Sequence, residues 1–269
     1  MSQSHPPYSL AELLIVACAE AWRDAGEVQA TGIGPIPRLA ASLAKTTFNP
    51  AMQMTDGEAW YVTDPVPPGP RQSQPEFESW CPYDRVFHIL WSGRRHAMLS
   101  PVQMDRFGQT NISVIGDHAR PKTAMLGVRG FPGNTICHPN SFFIPQHSKR
   151  SFVAGEVDYV CGAGYNPDRY LNGRPSPGLD LRLIVTNLAV MDFAGPDHAI
   201  QVRSLHPGVS FDEVQDNTGF TLKRPDVIPE TRAPTAEELA LIARLDPNGV
   251  RRKVLKGDPV GDRRLAEVG

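Results

Sequence analysis

The sequence predicts an α/β fold: an open, mostly parallel sheet with helical crossovers. Three observations carry this. Short apolar runs of strand length alternate with stretches of helical periodicity. A strand pattern at residues 28–31 runs through Gly32-Ile33-Gly34 into a helix pattern and then a second apolar run at 51–55, the order of a parallel crossover. Hydrophobic residues make up 41% of the 269, which allows a sizeable core.

Taken in order, Ser9 and Glu12 have the spacing of a capping box, and Leu10, Leu13, Leu14, Ala17, Cys18 and Ala21 then share one helical face. A second helix opens at Pro35 or Pro37 and carries Ile36, Leu39, Ala40 and Leu43 on one side. The run at 51–55 reads as a buried strand ending at Asp56-Gly57. Residues 63–82 hold Pro65, Pro67, Pro68, Pro70, Pro75 and Pro82 and read as a surface loop or lid, because strand patterning resumes after them. A strand at 97–105, a turn at 106–109 and a strand at 111–115 precede a glycine-rich stretch at 127–134. Further strands are expected at 141–145, 157–161, 181–189 and 199–204. Thr235 and Glu238 form a second capping box, opening a helix through Leu245. The expected organisation is one domain over residues 1–246 and a charged tail over 247–269.

Composition excludes several functions. Net charge is -2, from 27 basic and 29 acidic residues, too little to recruit nucleic acid or an acidic membrane. The start MSQSHPPYSL lacks a basic segment followed by an apolar run, so no signal peptide is expected, and no apolar stretch approaches the ~18 residues of a membrane span. Cys18, Cys81, Cys137 and Cys161 form no C-x-x-C pair and are expected as reduced thiols, in keeping with a cytoplasmic protein. Gly32-x-Gly34 lacks the third glycine of a dinucleotide site, and no convincing acidic residue follows about 20 positions on. There is no Walker loop, no G-x-S-x-G elbow and no H-E-x-x-H pair. Cys137 and His138 are adjacent, so on a strand they face opposite sides and do not chelate together.

Three stretches together resemble the β subunit of class I coenzyme A-transferases. They are Thr31-Gly-Ile-Gly-Pro-Ile-Pro37; Ser100-Pro-Val-Gln-Met-Asp-Arg-Phe-Gly-Gln-Thr-Asn-Ile-Ser113 followed by Ile115-Gly-Asp117; and Gly127-Val-Arg-Gly-Phe-Pro-Gly-Asn134. The family has "A-Q-I-D-x-x-G-N-x-N" at the second place and a "G-x-G-G-x-N" glycine loop at the third. The resemblance covers about residues 10–246. It implies the family's glycine-rich-loop α/β sheet, a coenzyme A thioester substrate, no separate cofactor, and a coenzyme A-transferase-like α subunit as partner, most simply as α2β2.

One departure matters more than the match. Classical members carry a nucleophilic glutamate two residues before a glycine at the end of the second strand. Here the segment is Met54-Thr55-Asp56-Gly57-Glu58, with Thr55 at that position. Threonine cannot form the acyl anhydride and enzyme thioester that transfer requires. Asp56 and Glu58 are neighbours, and a register slip would bring Asp56 into the role. The ring-opening hydrolases of bacterial steroid catabolism share this departure. Their substrate is a cyclic β-keto thioester, and resemblance to them implies that the catalytic glutamate lies on the α subunit.

Opening a β-keto ring needs stabilisation of a tetrahedral oxyanion and of an enolate. Gly130, Gly133 and Asn134 are candidates for oxyanion contact, since a glycine loop lets N–H groups come close; a tight turn at a strand end fits the same residues. Arg129 suits a substrate carboxylate or oxyanion, or equally a solvated surface position. Gly32 and Gly34 open a helix whose N-terminus favours anions, and with Thr55 they are expected to line the substrate site. Asp105, Asn111 and Asp117 are expected to be structural. The alternative to ring hydrolysis is a true coenzyme A-transferase using Asp56 or Glu58; a scaffold subunit supporting an active α chain is a third reading.

Overall fold

The computed structural model describes residues 7–255 other than Gln72, Leu126 and Arg129. The elements, in chain order, begin with α1 (Leu10–Ala19), β1 (Gln29–Gly32), α2 (Pro35–Thr46), β2 (Trp60–Val62), β3 (Phe77–Trp80), α3 (Tyr83–Trp91) and β4 (Arg95–Leu99). They continue with β5 (Gln103–Met104), β6 (Thr110–Asn111), β7 (Val114–Ile115), β8 (Thr123–Ala124), α4 (Phe131–Cys137) and β9 (Pro139–Ile144). Last come β10 (Asp180–Thr186), β11 (Ala189–Asp192), β12 (Gln201–Leu205), α5 (Phe211–Asp216) and α6 (Ala236–Leu245). The chain divides into two compact units. The first takes residues up to Ile89, Arg94–Met98 and those from Thr231 on; the second takes Leu90–Gly93 and Leu99–Glu230.

In the first unit, α1 starts where the sequence places it. Ser9 accepts from the Glu12 N–H and Glu12 accepts from the Ser9 N–H, which satisfies two donors at the helix start. Every α1 residue except Glu12 is buried, so the helix is a core element rather than an amphipathic surface one. Trp22, fully buried, donates from its indole to His96 O at 3.2 Å. β1 pairs in parallel with β4 from Gln29↔Arg95 to Gly32↔Met98. On its other side, the Ala30 N–H donates to Gln53 O and the Gln53 N–H to Val28 O, both at 2.9 Å. The apolar run expected as a strand at 51–55 is therefore present as a bridged extended segment parallel to β1, with α2 as the connecting crossover. α6 carries the second capping box, Thr235 with Glu238. Residues 247–255, expected in a tail, begin instead with a helical turn at Val250–Lys253 whose Arg251 is buried.

In the second unit, β9 and β10 are parallel, while β10–β11 and β11–β12 are antiparallel. Phe142, Ile184, Val185 and Met191 fill its core. The expected strand at 97–105 is two strands, β4 and β5, separated at residues 100–102. Residues 157–161 are not a strand; beside them Gly162 makes an isolated bridge to Thr110. The turn at 106–109 is pinned by Asp105, whose Oδ1 accepts from the Phe107 and Gln109 N–H groups and whose Oδ2 accepts from Gln109 Nε2 at 2.6 Å. Asn111 likewise donates to Gln103 Oε1 and Val114 O, and Asp117 accepts from the Ala119 N–H, so these three residues are structural. Among the described residues no helix is long and apolar enough to cross a membrane, and no group of three His, Cys, Asp or Glu side chains is placed to hold a metal ion.

Candidate active site

The first unit contains a cleft of about 560 Å³ at the C-terminal end of β1. Its walls are Ala30, Thr31 and Gly32 of β1 with Ile33 just after it, Arg38 on α2, residues 54–58 at the end of the bridged segment and beyond, and residues 66–69 and 71 of the proline-rich loop. Strand ends beside a helix start are where open α/β sheets place ligands, because loops there are free to diverge.

Gly32 is required by packing. A Cβ there would lie 2.3 Å from Pro37 C and O and 2.6 Å from Arg38 N, so the strand end and the first turn of α2 meet backbone to backbone. Gly34 caps α2 at φ 100°, ψ 166°, a conformation open essentially to glycine alone. It is exposed and does not line the cleft. The α2 N-terminus has fewer backbone donors to offer an anion than a helix start usually does. Pro35 and Pro37 have no N–H, and the Arg38 N–H donates to Gly34 O at 3.0 Å.

Thr55 lines the cleft and is half-buried; its hydroxyl accepts weakly from the Gly57 N–H at 3.3 Å. Asp56 is turned away from nucleophilic use. Its Oδ1 accepts from the N–H groups of Glu58, Ala59 and Trp60 at 2.9–3.1 Å, and its Oδ2 accepts from Arg71 Nη2 at 2.7 Å. Burial opposes the charge, but those backbone donors and the Arg71 guanidinium outweigh it and hold the Asp56 carboxyl below the usual carboxylate range. Glu58 is a solvated carboxylate with 77% of its side chain exposed, 3.9 Å from Arg71.

Arg38 and Arg71 are the cleft residues that sequence reasoning missed. Arg38 donates to Thr55 O and Val66 O at 3.2 Å, tying the loop to the bridged segment. One signal was available: a cation in the first turn of a helix opposes the macrodipole and calls for another reason to be there. The loop expected at 63–82 is fixed on its other flank by Asn248, which donates to Pro68 O at 3.2 Å.

The remaining candidates lie in the second unit. Arg129 falls outside the described residues. The stretch expected as an open glycine loop is not one over residues 131–134: Gly130 caps α4, and Gly133 and Asn134 are helical. The Asn134 N–H donates to Gly130 O at 3.0 Å, which corrects its expected part as a free oxyanion donor. Its side chain is buried, with Oδ1 3.2 Å from His138 Nε2, and its carbonyl accepts from Asn140 Nδ2 at 2.9 Å. The physical reason is Pro132: its fixed φ and missing N–H suit a first helical turn as well as they suit a loop. A side chain at Gly133 would press on Leu90 at 3.2 Å, so that glycine is also set by packing.

Comparison with known proteins bears on this arrangement. No family model matches the chain. The chain is 42% identical over 254 residues to the IpdB subunit of the cholesterol ring-cleaving hydrolase of Mycobacterium tuberculosis H37Rv, covering 91% of this chain and 98% of that protein. It superimposes on the crystal structure of Rhodococcus jostii RHA1 IpdAB with a TM-score of 0.85 and 40% identity, covering 91% and 98% of the two chains. Glutaconate coenzyme A-transferase from Acidaminococcus fermentans shares the fold, with a TM-score of 0.74 at 22% identity over 94% and 99% of the chains. The fold is thus that of the coenzyme A-transferases, as expected, and the chain belongs to the family of cholesterol ring-cleaving hydrolase IpdB subunits.

Proposed function

We propose that this chain is the β subunit of a two-subunit hydrolase that opens the last ring of a steroid-derived cyclic β-keto acyl-coenzyme A. The observation that carries this reading is the state of the cleft's carboxylates. Thr55 offers a neutral hydroxyl, Asp56 has both oxygens engaged by four donors, and Glu58 is solvated. A transferase needs a carboxylate free to attack the thioester. A ring hydrolase does not. Water adds to the ring ketone as a base takes its proton. The tetrahedral alkoxide then collapses to a carboxylic acid, the C–C bond breaks, and its electron pair enters the thioester as an enolate that is reprotonated. Water, a base and stabilising donors suffice, so no cofactor is needed and coenzyme A enters as part of the substrate.

The base must reach the attacking water within hydrogen-bond distance. No carboxylate lining the described cleft suits that task, and the reading assigns it to a glutamate on a coenzyme A-transferase-like α subunit, most simply in an α2β2 assembly. The name IpdAB in the related crystal structure supports a two-subunit enzyme.

The test is to coexpress the chain with such an α subunit and supply a cyclic β-keto acyl-coenzyme A in ¹⁸O-water. Ring hydrolysis gives a product heavier by one water, with ¹⁸O in the new carboxyl group, and the chain alone gives none. Coenzyme A transfer to an added carboxylic acid, with the ring intact, would establish the transferase reading instead.

A further inference from the structure

We infer that Arg38 is the residue of this chain that binds a carboxylate carried by the acyl part of the substrate. The inference rests on the ring-hydrolase reading for the identity of the thioester, and on the cleft's own geometry for the rest.

Arg38 reaches the cleft from the first turn of α2. Its Nε and Nη2 are directed at the carbonyl oxygens of Val66 and Thr55, while Nη1, with two N–H donors, makes no hydrogen bond among the described residues. Nη1 would stand 3.6 Å from a side chain at Gly57; with glycine there, that space is open. Asp56, the buried carboxylate close by, is taken up by Arg71 and three backbone donors. The cleft therefore presents a partly buried guanidinium hydrogen-bonded, among the described residues, only to neutral carbonyls, with the charge of Asp56 supporting it and that of Arg71 opposing it. A charge in such a place favours an anionic partner.

Burial itself lowers the Arg38 pKa, which means that the protein environment costs the cation some of its stability. A bound anion would restore it. Met54, Val66, Pro67 and Pro68 give the cleft an apolar side, with Ile33 47% exposed at the rim; the remaining wall carries Thr31, Thr55, the paired Asp56 and Arg71, and exposed Glu58. Arg71 is paired with Asp56, so among the described residues Arg38 is the cleft cation with no carboxylate hydrogen-bonded to it, and one such cation beside an apolar side matches a hydrocarbon body with a single carboxylate. A phosphate group recruits several unpaired cations or helix N-terminal N–H groups, and Pro35 and Pro37 remove two of those N–H groups here.

The test uses the complex of this chain with its α subunit and three thioesters: a cyclic β-keto acyl-coenzyme A with a free carboxyethyl arm, its methyl ester, and the free acid on 3′-dephospho-coenzyme A. Wild type is expected to favour the free acid over the ester by about ten- to a hundredfold in kcat/KM, the size of one charge-assisted hydrogen bond. Arg38→Gln removes the charge while its amide, at the position of Nε, can still donate to Val66 O. It should lower kcat/KM for the free acid on either coenzyme about tenfold or more beyond any loss for the ester, so that the acid-to-ester ratio falls toward one. Arg38→Lys should keep part of the preference. Equal rates for acid and ester in wild type, or an acid preference that survives Arg38→Gln, would overturn the inference. So would a loss in Arg38→Gln that disappears on 3′-dephospho-coenzyme A, which would place a phosphate at Arg38. If the wild-type complex opens none of the three, the ring-hydrolase reading falls, and dissociation constants for the same thioesters by calorimetry then decide the carboxylate question on their own.

Discussion

Arg71 Nη2 stands 2.7 Å from Asp56 Oδ2, and the aspartate side chain is only 1% exposed. The pair closes the one carboxylate that a shifted register would bring to the nucleophile position. It also spans a proline-rich loop, so fixing the carboxylate and fixing the loop are one event.

The first prediction follows from that pair. No covalent coenzyme A thioester should form on this chain, because Asp56 is buried with three N–H donors on Oδ1 and Arg71 on Oδ2, which weakens it as a nucleophile. The complex would be incubated with acyl-coenzyme A, treated with borohydride and digested. A reduced carboxylate in residues 51–60 would show that Asp56 or Glu58 acts as a nucleophile and would restore the transferase reading.

Gly32→Ala tests the backbone contact that shapes the cleft. The new methyl group would meet Pro37 C and O at 2.3 Å and Arg38 N at 2.6 Å, all backbone atoms that cannot swing aside. Overpacking of this kind costs about 1–3 kcal/mol or more. Gly34→Ala has room, its nearest neighbour being 3.9 Å away, but must hold φ 100°, which costs about 1–3 kcal/mol of strain. Urea midpoints at unchanged m-value measure both. A wild-type midpoint for Gly32→Ala would mean that β1 and α2 are less tightly joined than the distances indicate.

What the sequence revealed and what it hid divide along range of interaction. Ser9 with Glu12 and Thr235 with Glu238 were legible because a capping box is a three-residue signal that its helix obeys. Gly32 was legible as the end of a strand. Residues 131–137 were misjudged because Gly130, Pro132 and Gly133 read as loop residues, while burial of Phe131 and Thr135 favours the helix. α3 and α5 went unseen, both short. Arg71 was invisible because its partner lies 15 residues away across a loop without periodicity. The antiparallel course of β11 and β12 is a pairing fact with no local mark in the chain.

His147 predicts an acid sensitivity in the second unit. Burial, with the charge of His206 as a lesser cause, pushes its pKa from the usual range down to about 3. It sits neutral between Thr186 Oγ1 and Thr218 Oγ1, at 3.1 and 2.9 Å. Because the folded pKa is depressed, the unfolded chain takes up a proton first as pH falls. The contribution is complete above the unfolded value of about 6.5 and is lost as pH drops toward 3, at up to about 1.4 kcal/mol per unit. His147→Gln, which keeps a hydrogen-bonding group, should flatten urea stability between pH 6.5 and 4 relative to wild type, measured at constant ionic strength. Parallel pH profiles for the two proteins would show that His147 is not the sensitive group.

The last prediction concerns Arg251, which joins the final described turn to the start of α1. Its side chain is 6% exposed. Nη1 donates to Asp246 Oδ2 at 3.0 Å and Nη2 to Glu12 Oε1 at 3.0 Å. Asp246 is fully buried and also accepts from the N–H groups of Val250 and Arg251, so the carboxylate shapes the turn that carries its own counter-charge. Glu12 is at once the capping-box residue of α1. Burial opposes its charge, but Ser9 and Arg251 outweigh this and lower its pKa, so its share of stability is present above the ordinary glutamate value and lost as pH falls through the folded one. Arg251→Ala would leave a buried aspartate with no cation paired to it among the described residues and is expected to cost about 3–5 kcal/mol. Arg251→Lys should recover only part of that, since a single ammonium does not reproduce a fork reaching two carboxylates. Glu12→Gln alone should cost less, because its amide still accepts from Ser9. In the double variant Glu12→Gln/Arg251→Ala the losses should fall short of their sum by about 0.5–3 kcal/mol, the mark of groups in direct contact. Additive losses would mean that the two side chains stabilise the protein independently, and a loss under about 0.5 kcal/mol for Arg251→Ala would place it with ordinary surface substitutions.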